Sequence, residues 1–237
     1  MADILLIHGA AHGAWCWRDV IPALTALGHD ARVIDLPGHG DDATPYRDVT
    51  LDRYRDAVLA AMGPNTVLVG HSMGGYPITA AAVAAPDRVA GLIYVCAYVP
   101  WPDHSLAQMR MRAPRQPLLP AIRMTEDRLG WTADPAMVPD LFYHDCAPAD
   151  VAYAMDRLCV QAVAPTSVPV AGLDRIAALP RGYVRCTDDR TIPPEFQVTM
   201  TEGWPAERVT DMACSHSPFF AAPEVLAGHI DRFIKGF

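Results

Sequence analysis

The chain has 237 residues, a formal net charge of −8, 51% hydrophobic residues and 19% charged residues. This length suits a single α/β domain, and the composition excludes an intrinsically disordered protein. An acidic chain without any run of Lys or Arg has no electrostatic surface for nucleic acid or an anionic membrane, so neither partner is predicted.

Apolar runs alternate with stretches of helical spacing through the first hundred residues. The runs span residues 4–7, 31–36, 66–70 and 91–99. Between the first two runs a helix is predicted to end near Gly28, and a second helix is predicted over Leu51–Met62 with Thr50 as its N-cap. Strands that are apolar on both faces and alternate with helices predict a mostly parallel sheet covered by helices.

The pattern changes over residues 101–170, which are rich in proline, methionine and aromatic side chains. Two helices are predicted inside this segment, at 134–144 and 148–158. Strand-like patterns resume at 182–186 and 206–212.

An amphipathic helix is predicted to close the chain. We therefore expect one domain with a sheet of about six strands. Residues 1–100 and 171–237 form its core, and residues 101–170 form a mainly helical cap insertion.

The strongest local motif is Gly70-His71-Ser72-Met73-Gly74, which follows an apolar run and precedes an alanine-rich helical stretch. This is the context of a nucleophile elbow, in which a serine lies on a tight turn between a strand and a helix. Small residues beside the serine are needed because side chains there would collide with the neighbouring backbone. The motif predicts Ser72 as a nucleophile.

A serine nucleophile needs a base. Sites with a nucleophile elbow place the acid and then the histidine later in the chain than the serine. Only two histidines lie beyond residue 150. His229 falls within the predicted terminal helix, which favours a helix-surface residue. His216 lies in a short turn after a strand, where its ring is free to reach the serine. We therefore predict His216 as the general base.

The acid of such a site is expected after the preceding strand, where Asp188 and Asp189 are neighbours. Residue chemistry alone does not choose between them. The carboxylate that does not orient the histidine is expected to be solvated in the loop, paired with Arg190.

An oxyanion hole requires two main-chain N–H donors: one from Met73, directly after the nucleophile, and one from the loop after the first strand, residues 8–13. His8 and His12 in that loop are four residues apart, but this spacing brings two rings to one ion only on a helix. No metal is predicted.

Three segments, taken together and in this order, carry a resemblance to a known family: residues 8–15 (HGAAHGAW), 70–75 (GHSMGG) and 186–197 (CTDDRTIPPEFQ). In these segments the chain resembles the plant methylesterase and hydroxynitrile lyase branch of the α/β-hydrolases, together with bacterial esterase relatives. The resemblance covers nearly the whole chain and is looser in the cap. It implies the α/β-hydrolase fold without the first two strands of that fold.

The resemblance also implies roles for individual residues. The catalytic aspartate of that branch falls on Asp189, seven residues before Phe196. The second oxyanion donor falls on Ala10, and an aromatic residue that lines the acyl pocket falls on Tyr98. Trp131 in the cap is a further candidate for the pocket wall, with packing between cap and sheet as an equally good interpretation.

Two chemistries are known in this branch. Hydroxynitrile lyases carry a threonine where this chain has Gly9 and a lysine where it has Ser217. Without a positive charge to stabilise departing cyanide, cyanohydrin cleavage is expected to be poor. The resemblance therefore favours ester hydrolysis.

The predicted function is a serine carboxylesterase that hydrolyses small or medium apolar or aryl esters, methyl esters among them, through an acyl-enzyme and without a cofactor. The alternatives are a hydroxynitrile lyase, a lactone or C–C hydrolase, and a non-catalytic protein that binds a small molecule.

The start of the chain has no basic segment followed by a long apolar stretch, and six cysteines are scattered without CxxC spacing. We interpret the cysteines as reduced thiols and expect a cytoplasmic protein. The predicted partner is a small-molecule ester, and a homodimer is left open.

Overall fold

The computed structural model describes residues 1–237. The strands, in chain order, are β1 (Asp3–Ile7), β2 (Asp30–Val33), β3 (Thr66–His71), β4 (Val89–Val95), β5 (Ile122–Met124), β6 (Gly130–Ala133), β7 (Gln161–Ala162), β8 (Arg181–Cys186) and β9 (Val209–Met212). The α-helices are α1 (Val20–Ala26), α2 (Leu51–Ala61), α3 (Gly75–Ala84), α4 (Leu106–Arg112), α5 (Val138–Phe142), α6 (Pro148–Met155), α7 (Pro194–Met200), α8 (Pro218–Ala221) and α9 (Pro223–Gly236).

The main sheet has six strands in the order β2-β1-β3-β4-β8-β9, and every neighbouring pair is parallel. This confirms the predicted parallel sheet of about six strands covered by helices. The run predicted at 91–99 stays in the sheet only as far as Val95. Cys96 has a φ of 33°, and this left-handed conformation interrupts the extended backbone of the strand.

Apolar side chains of the central strands point to both faces of the sheet. In β1, Leu5 and Ile7 join the apolar layer that contains α2 and α3, whereas Ile4 and Leu6 join the layer that contains α1 and α9. All four are completely buried. Because alternate residues face opposite sides of a strand, a continuous apolar run is what a sheet covered on both faces requires.

Residues 101–170 contain α4, α5, α6 and a three-stranded antiparallel sheet in the order β5-β6-β7. The small sheet was not predicted, because its strands have two to four residues and are too short to show alternation. The helix predicted at 134–144 forms only over Val138–Phe142. The side chain of Asp134 accepts a hydrogen bond from the N–H of Ala136, which makes a turn at the start of that segment.

The helix predicted at 148–158 ends earlier, at Met155, whereas α2 matches its prediction within one residue. Thr50 caps α2, since its side chain accepts a hydrogen bond from the N–H of Arg53 at 3.2 Å. None of the helices combines the length and the apolar character needed to cross a membrane.

Gly182 in β8 tests how tightly α9 packs on the sheet. A Cβ at this position would lie 2.7 Å from the ring of Phe233, which is 1% exposed. We expect Gly182→Ala to lower the free energy of unfolding by about 1–3 kcal/mol, because a packed interior cannot accept an added methyl group without shifting. Urea unfolding followed by circular dichroism measures the change.

Gly228→Ala is the matched control, since Gly228 is exposed on α9 and its added Cβ would meet nothing within 4 Å. This variant should be more stable than the parent by about 0.5–1 kcal/mol, because alanine favours a helix over glycine. Equal stability of Gly182→Ala and the parent would show that α9 can shift freely on the sheet.

Candidate active site

The loops after β1, β3, β8 and β9 meet at one edge of the main sheet, because the carboxyl ends of parallel strands lie together. Ser72 follows β3, Asp189 follows β8 and His216 follows β9. Residues that are far apart in the sequence therefore become neighbours at this edge.

Ser72 lies on a sharp turn between β3 and α3, with a φ of 54°. This left-handed conformation is strained for a residue other than glycine. The neighbouring glycines permit the turn: a Cβ on Gly70 would lie 2.6 Å from the carbonyl oxygen of Gly74, and a Cβ on Gly74 would lie 2.7 Å from that of Ile7. The motif thus forms the strand–turn–helix geometry that its sequence predicts.

Three side chains form one hydrogen-bonded chain. The Oγ of Ser72 is 3.0 Å from Nε2 of His216, and Nδ1 of His216 is 2.7 Å from Oδ2 of Asp189. All three residues are buried. In this arrangement the ring donates its Nδ1 proton to the carboxylate, which leaves the lone pair of Nε2 for the serine hydroxyl.

The carboxylate of Asp189 is 2% exposed and accepts further hydrogen bonds. Its Oδ1 accepts from the main-chain N–H groups of Thr191 at 2.7 Å and Ile192 at 2.9 Å. Its Oδ2 accepts from Nε2 of Gln197 at 2.9 Å. Gln197 in α7 was not predicted as a site residue, although it lies in the segment that carries the family resemblance.

Asp188 is exposed, and its main-chain carbonyl accepts a hydrogen bond from Nε2 of His144 at 2.9 Å. The expected pairing with Arg190 is wrong, because Arg190 forms its ion pair with Asp140 of α5. The loop thus directs one of two adjacent carboxylates inward to the histidine and the other to solvent.

His71, directly before the serine, supports the turn that carries His216. Its Nε2 donates to the carbonyl oxygen of His216 at 2.8 Å. Burial lowers the pKa of His71 well below its usual value, and the neighbouring His216 adds to this effect. A neutral ring with its proton on Nε2 fits this contact. His229, the other histidine considered for the general base, lies on α9 beside Thr210.

The loop after β1 approaches the serine from the other side. A Cβ on Gly9 would lie 2.8 Å from the Cβ of Ser72, so only glycine permits this approach. Ala11 has a φ of 59°, and its N–H donates to Oε1 of Gln161 at 3.1 Å. Gln161 belongs to β7 of the three-stranded antiparallel sheet and is completely buried. Sequence reasoning missed it, because no local pattern marks a residue so far along the chain.

A cavity of about 370 Å³ opens at Ser72. Ala10, Met73, Tyr98 and Trp131 line it together with the serine. Twelve of its 17 lining residues are hydrophobic. A cavity of this size that is mainly apolar suits a small organic ligand, which a site of a few hundred cubic ångströms can largely bury.

His71, Cys96 and His216 are close enough for their ligand atoms to surround one ion, within 4.8 Å of one another. Both ring nitrogens of His216 are engaged by Ser72 and Asp189. Burial raises the pKa of Cys96 to about 12, so its thiol stays protonated at neutral pH. A protonated thiol and an occupied imidazole are poor metal ligands.

His12 is held in the neutral state beneath the site. Its Nδ1 donates to the carbonyl oxygen of Ala10 at 2.8 Å, and its Nε2 accepts from the hydroxyl of Tyr143 at 2.7 Å. Burial lowers the pKa of His12 from 6.5 to about 4. The unfolded chain therefore takes up this proton first as the pH falls, and His12 lowers the stability of the fold between about pH 6.5 and pH 4.

We expect the ring nitrogen resonances of His12 to stay unchanged as the pH is lowered from about 7 to about 5, because the folded protein keeps the ring neutral in that range. Long-range ¹H–¹⁵N NMR spectra record them, and His12→Asn identifies the signal by its loss. A His12 ring that takes up a proton near pH 6.5 would contradict the buried geometry.

Comparison with known proteins agrees with this architecture. The model of the alpha/beta hydrolase family matches residues 4–229. Methylesterase 2 of Arabidopsis thaliana is 29% identical, and the alignment covers 98% of this chain and 96% of that protein. Pyrethroid hydrolase of Sphingobium wenxiniae is 30% identical, with 98% of this chain and 88% of that protein covered.

A solved structure gives the same result. The crystal structure of a pyrethroid hydrolase from Sphingobium faniae JZ-2 matches with a TM-score of 0.88 at 29% identity, and the match covers 99% of this chain and 97% of that chain. Because the family model and these relatives span nearly the whole sequence, the chain belongs to the alpha/beta hydrolase family, among its carboxylic ester hydrolases.

Proposed function

We propose that this protein is a serine carboxylesterase in which Ser72, His216 and Asp189 form the catalytic triad. The observation that carries the proposal is the hydrogen-bonded chain of these three residues, with 3.0 Å between Ser72 and His216 and 2.7 Å between His216 and Asp189. The serine end of this row of hydrogen bonds lines an apolar cavity, where the carbonyl carbon of an ester can reach the serine oxygen.

Acylation begins when Oγ of Ser72 attacks the ester carbonyl and Nε2 of His216 takes the hydroxyl proton. The carboxylate of Asp189 stabilises the imidazolium that forms. The main-chain N–H groups of Ala10 and Met73 are the proposed donors to the oxyanion of the tetrahedral intermediate. When the intermediate collapses, His216 gives its proton to the leaving alcohol and the acyl group stays on Ser72.

Deacylation repeats these steps with water as the nucleophile. His216 takes a proton from the water as it attacks the acyl carbonyl, and a second tetrahedral intermediate forms in the same oxyanion hole. Collapse of this intermediate releases the carboxylic acid and returns the proton to Ser72. The two half-reactions need only these side chains, the two N–H donors and water.

The cavity supports small or medium esters with apolar or aryl groups, methyl esters among them. Tyr98 and Trp131 contribute aromatic residues to its wall, and aliphatic side chains form most of the rest. The names of the relatives agree with this class, since one is a methylesterase and another a pyrethroid hydrolase.

We propose that residues 101–170 form the cap. The proposal is supported by Leu106, Leu118 and Trp131 of this segment, which line the cavity. A cytoplasmic location is supported by six free cysteines. Among them, the thiol of Cys214 donates a hydrogen bond to the sulfur of Cys186 at 3.4 Å, and the two form no disulfide. A homodimer stays a prediction from the sequence. Sedimentation velocity, which measures the mass of the particle in solution, tests it.

Replacement of the two neighbouring aspartates separates their roles. We expect Asp189→Asn to lower kcat about 10⁴-fold on p-nitrophenyl and methyl esters, because the amide would favour the ring tautomer with its proton on Nε2, which cannot accept the serine proton. Asp188→Asn is the matched control and should keep the parental rate, because Asp188 is exposed.

Ser72→Ala should abolish both hydrolysis and labelling by a serine-directed phosphonate. Hydrolysis that survives in Ser72→Ala would contradict the proposed nucleophile. The phosphonate could instead label the parent and not Ser72→Ala while the parent hydrolyses no ester. That result would favour a different reaction of the same serine.

Gln161 provides a test of the oxyanion loop. We expect Gln161→Met to lower kcat roughly 10–100-fold with a smaller change in KM, because Ala11 loses the acceptor of its N–H and the adjacent donor of Ala10 shifts. Steady-state kinetics on one methyl ester separates the two constants.

Thr125→Val is the control for a general weakening of the cap, since the Thr125 side chain bonds to Gly130 within the β5–β6 hairpin and not to the loop. If both variants lose kcat equally, the cap acts on the rate only through its stability, and the specific role of Gln161 is wrong.

A further inference from the structure

Arg110 is the one charged residue among the 17 that line the cavity. Its guanidinium makes no ion pair and no side-chain hydrogen bond within the protein, and its Nε is buried without a partner. Two other arginines of the cap have carboxylate partners: Arg115 pairs with Glu195, and Arg123 pairs with Asp134. Arg110 thus keeps a full set of donors free beside apolar walls.

The backbone that carries Arg110 is firmly held. Arg110 lies in the last turn of α4, whose first turn is closed by a capping box between Ser105 and Gln108. Leu106, four residues earlier on the same face, also lines the cavity. At the other end, Nε2 of Gln116 donates to the carbonyl oxygen of Arg110 at 2.6 Å. The side chain therefore extends from a fixed position.

A guanidinium stays protonated at any ordinary pH, and desolvation beside apolar side chains is costly unless an anion or an acceptor faces it. The Tyr98 hydroxyl, which also belongs to the wall, cannot neutralise it. Burial raises the pKa of the Tyr98 hydroxyl, although the charge of Arg110 opposes this rise, and the hydroxyl stays neutral.

We propose that Arg110 binds a carboxylate of the substrate, so that the favoured substrates are monoesters of dicarboxylic acids. The ester group lies at Ser72, an apolar chain crosses the aliphatic part of the cavity, and the free carboxylate meets the planar fork of Arg110, which matches two carboxylate oxygens. This inference rests on the proposed esterase function and narrows it to a substrate class.

The test uses monomethyl esters of linear dicarboxylic acids, from succinate to sebacate, each paired with the neutral methyl alkanoate of the same chain length. We expect one or two chain lengths for which the parent hydrolyses the acid ester with the higher kcat/KM. In Arg110→Met the ratio of kcat/KM for the acid ester to that for the neutral ester should fall about 10–100-fold, because the variant loses the charge-assisted hydrogen bonds to the free carboxylate.

Arg112→Met is the matched control, because Arg112 lies in the same helical turn but is exposed, and the only side-chain hydrogen bond of its guanidinium is to His104. It removes the same charge and should leave the ratio as in the parent. Arg110→Lys keeps the charge without the fork and should retain part of the preference. Equal ratios in the parent and Arg110→Met, or a parent that favours the neutral ester at every length, would overturn the proposal.

A binding experiment separates this proposal from the esterase function. Titration calorimetry measures the affinity of the free dicarboxylates for Ser72→Ala and for Ser72→Ala combined with Arg110→Met. If no ester is hydrolysed by the parent but dicarboxylates bind and lose at least tenfold in affinity without Arg110, the esterase function fails and the carboxylate site stands. Binding that is absent, or unchanged without Arg110, overturns the site.

Discussion

The buried charge of Asp189 is the constraint on which the site depends. A carboxylate removed from water costs several kcal/mol unless hydrogen-bond donors replace the lost hydration. Here the donors are two main-chain N–H groups of its own loop, Gln197 of α7 and the ring of His216. The contacts that stabilise the charge therefore also fix the orientation of the imidazole, and the imidazole in turn meets Ser72 with its free nitrogen.

The segment that we propose as the cap also contacts the loop after β1. Gln161 of the cap sheet accepts a hydrogen bond from the loop after β1, and Tyr143, which follows α5, donates to His12 in the same loop. Both contacts are buried, where an unpaired partner is costly. The conformation of the proposed oxyanion loop is therefore set jointly by the core, through Gly9 and Ser72, and by the cap.

The elements read most accurately from the sequence were those with strong local patterns. Continuous apolar runs located the strands of the main sheet, and the motif around Ser72 located the turn after β3. His216 followed from its position after a strand. Asp188 and Asp189 were chemically equivalent in the sequence, and only the resemblance favoured the one that the fold turns inward. Gln161 could not be found, because its role arises from a contact between distant segments. Gln197 lies only eight residues from Asp189, but no local pattern shows that its side chain turns back to the carboxylate.

The position of the cap in the chain has a consequence for folding. The cap is inserted between β4 and β8, yet these strands are neighbours in the sheet, where Tyr94 pairs with Tyr183. Pairing of such distant residues is slow, since a long loop must close before the contacts form. The serine turn is built from residues that are close in the sequence. Its base and acid come into contact with it only after β8 has paired with β4. A ribosome-bound chain that ends within the cap therefore displays the serine without its activating partners.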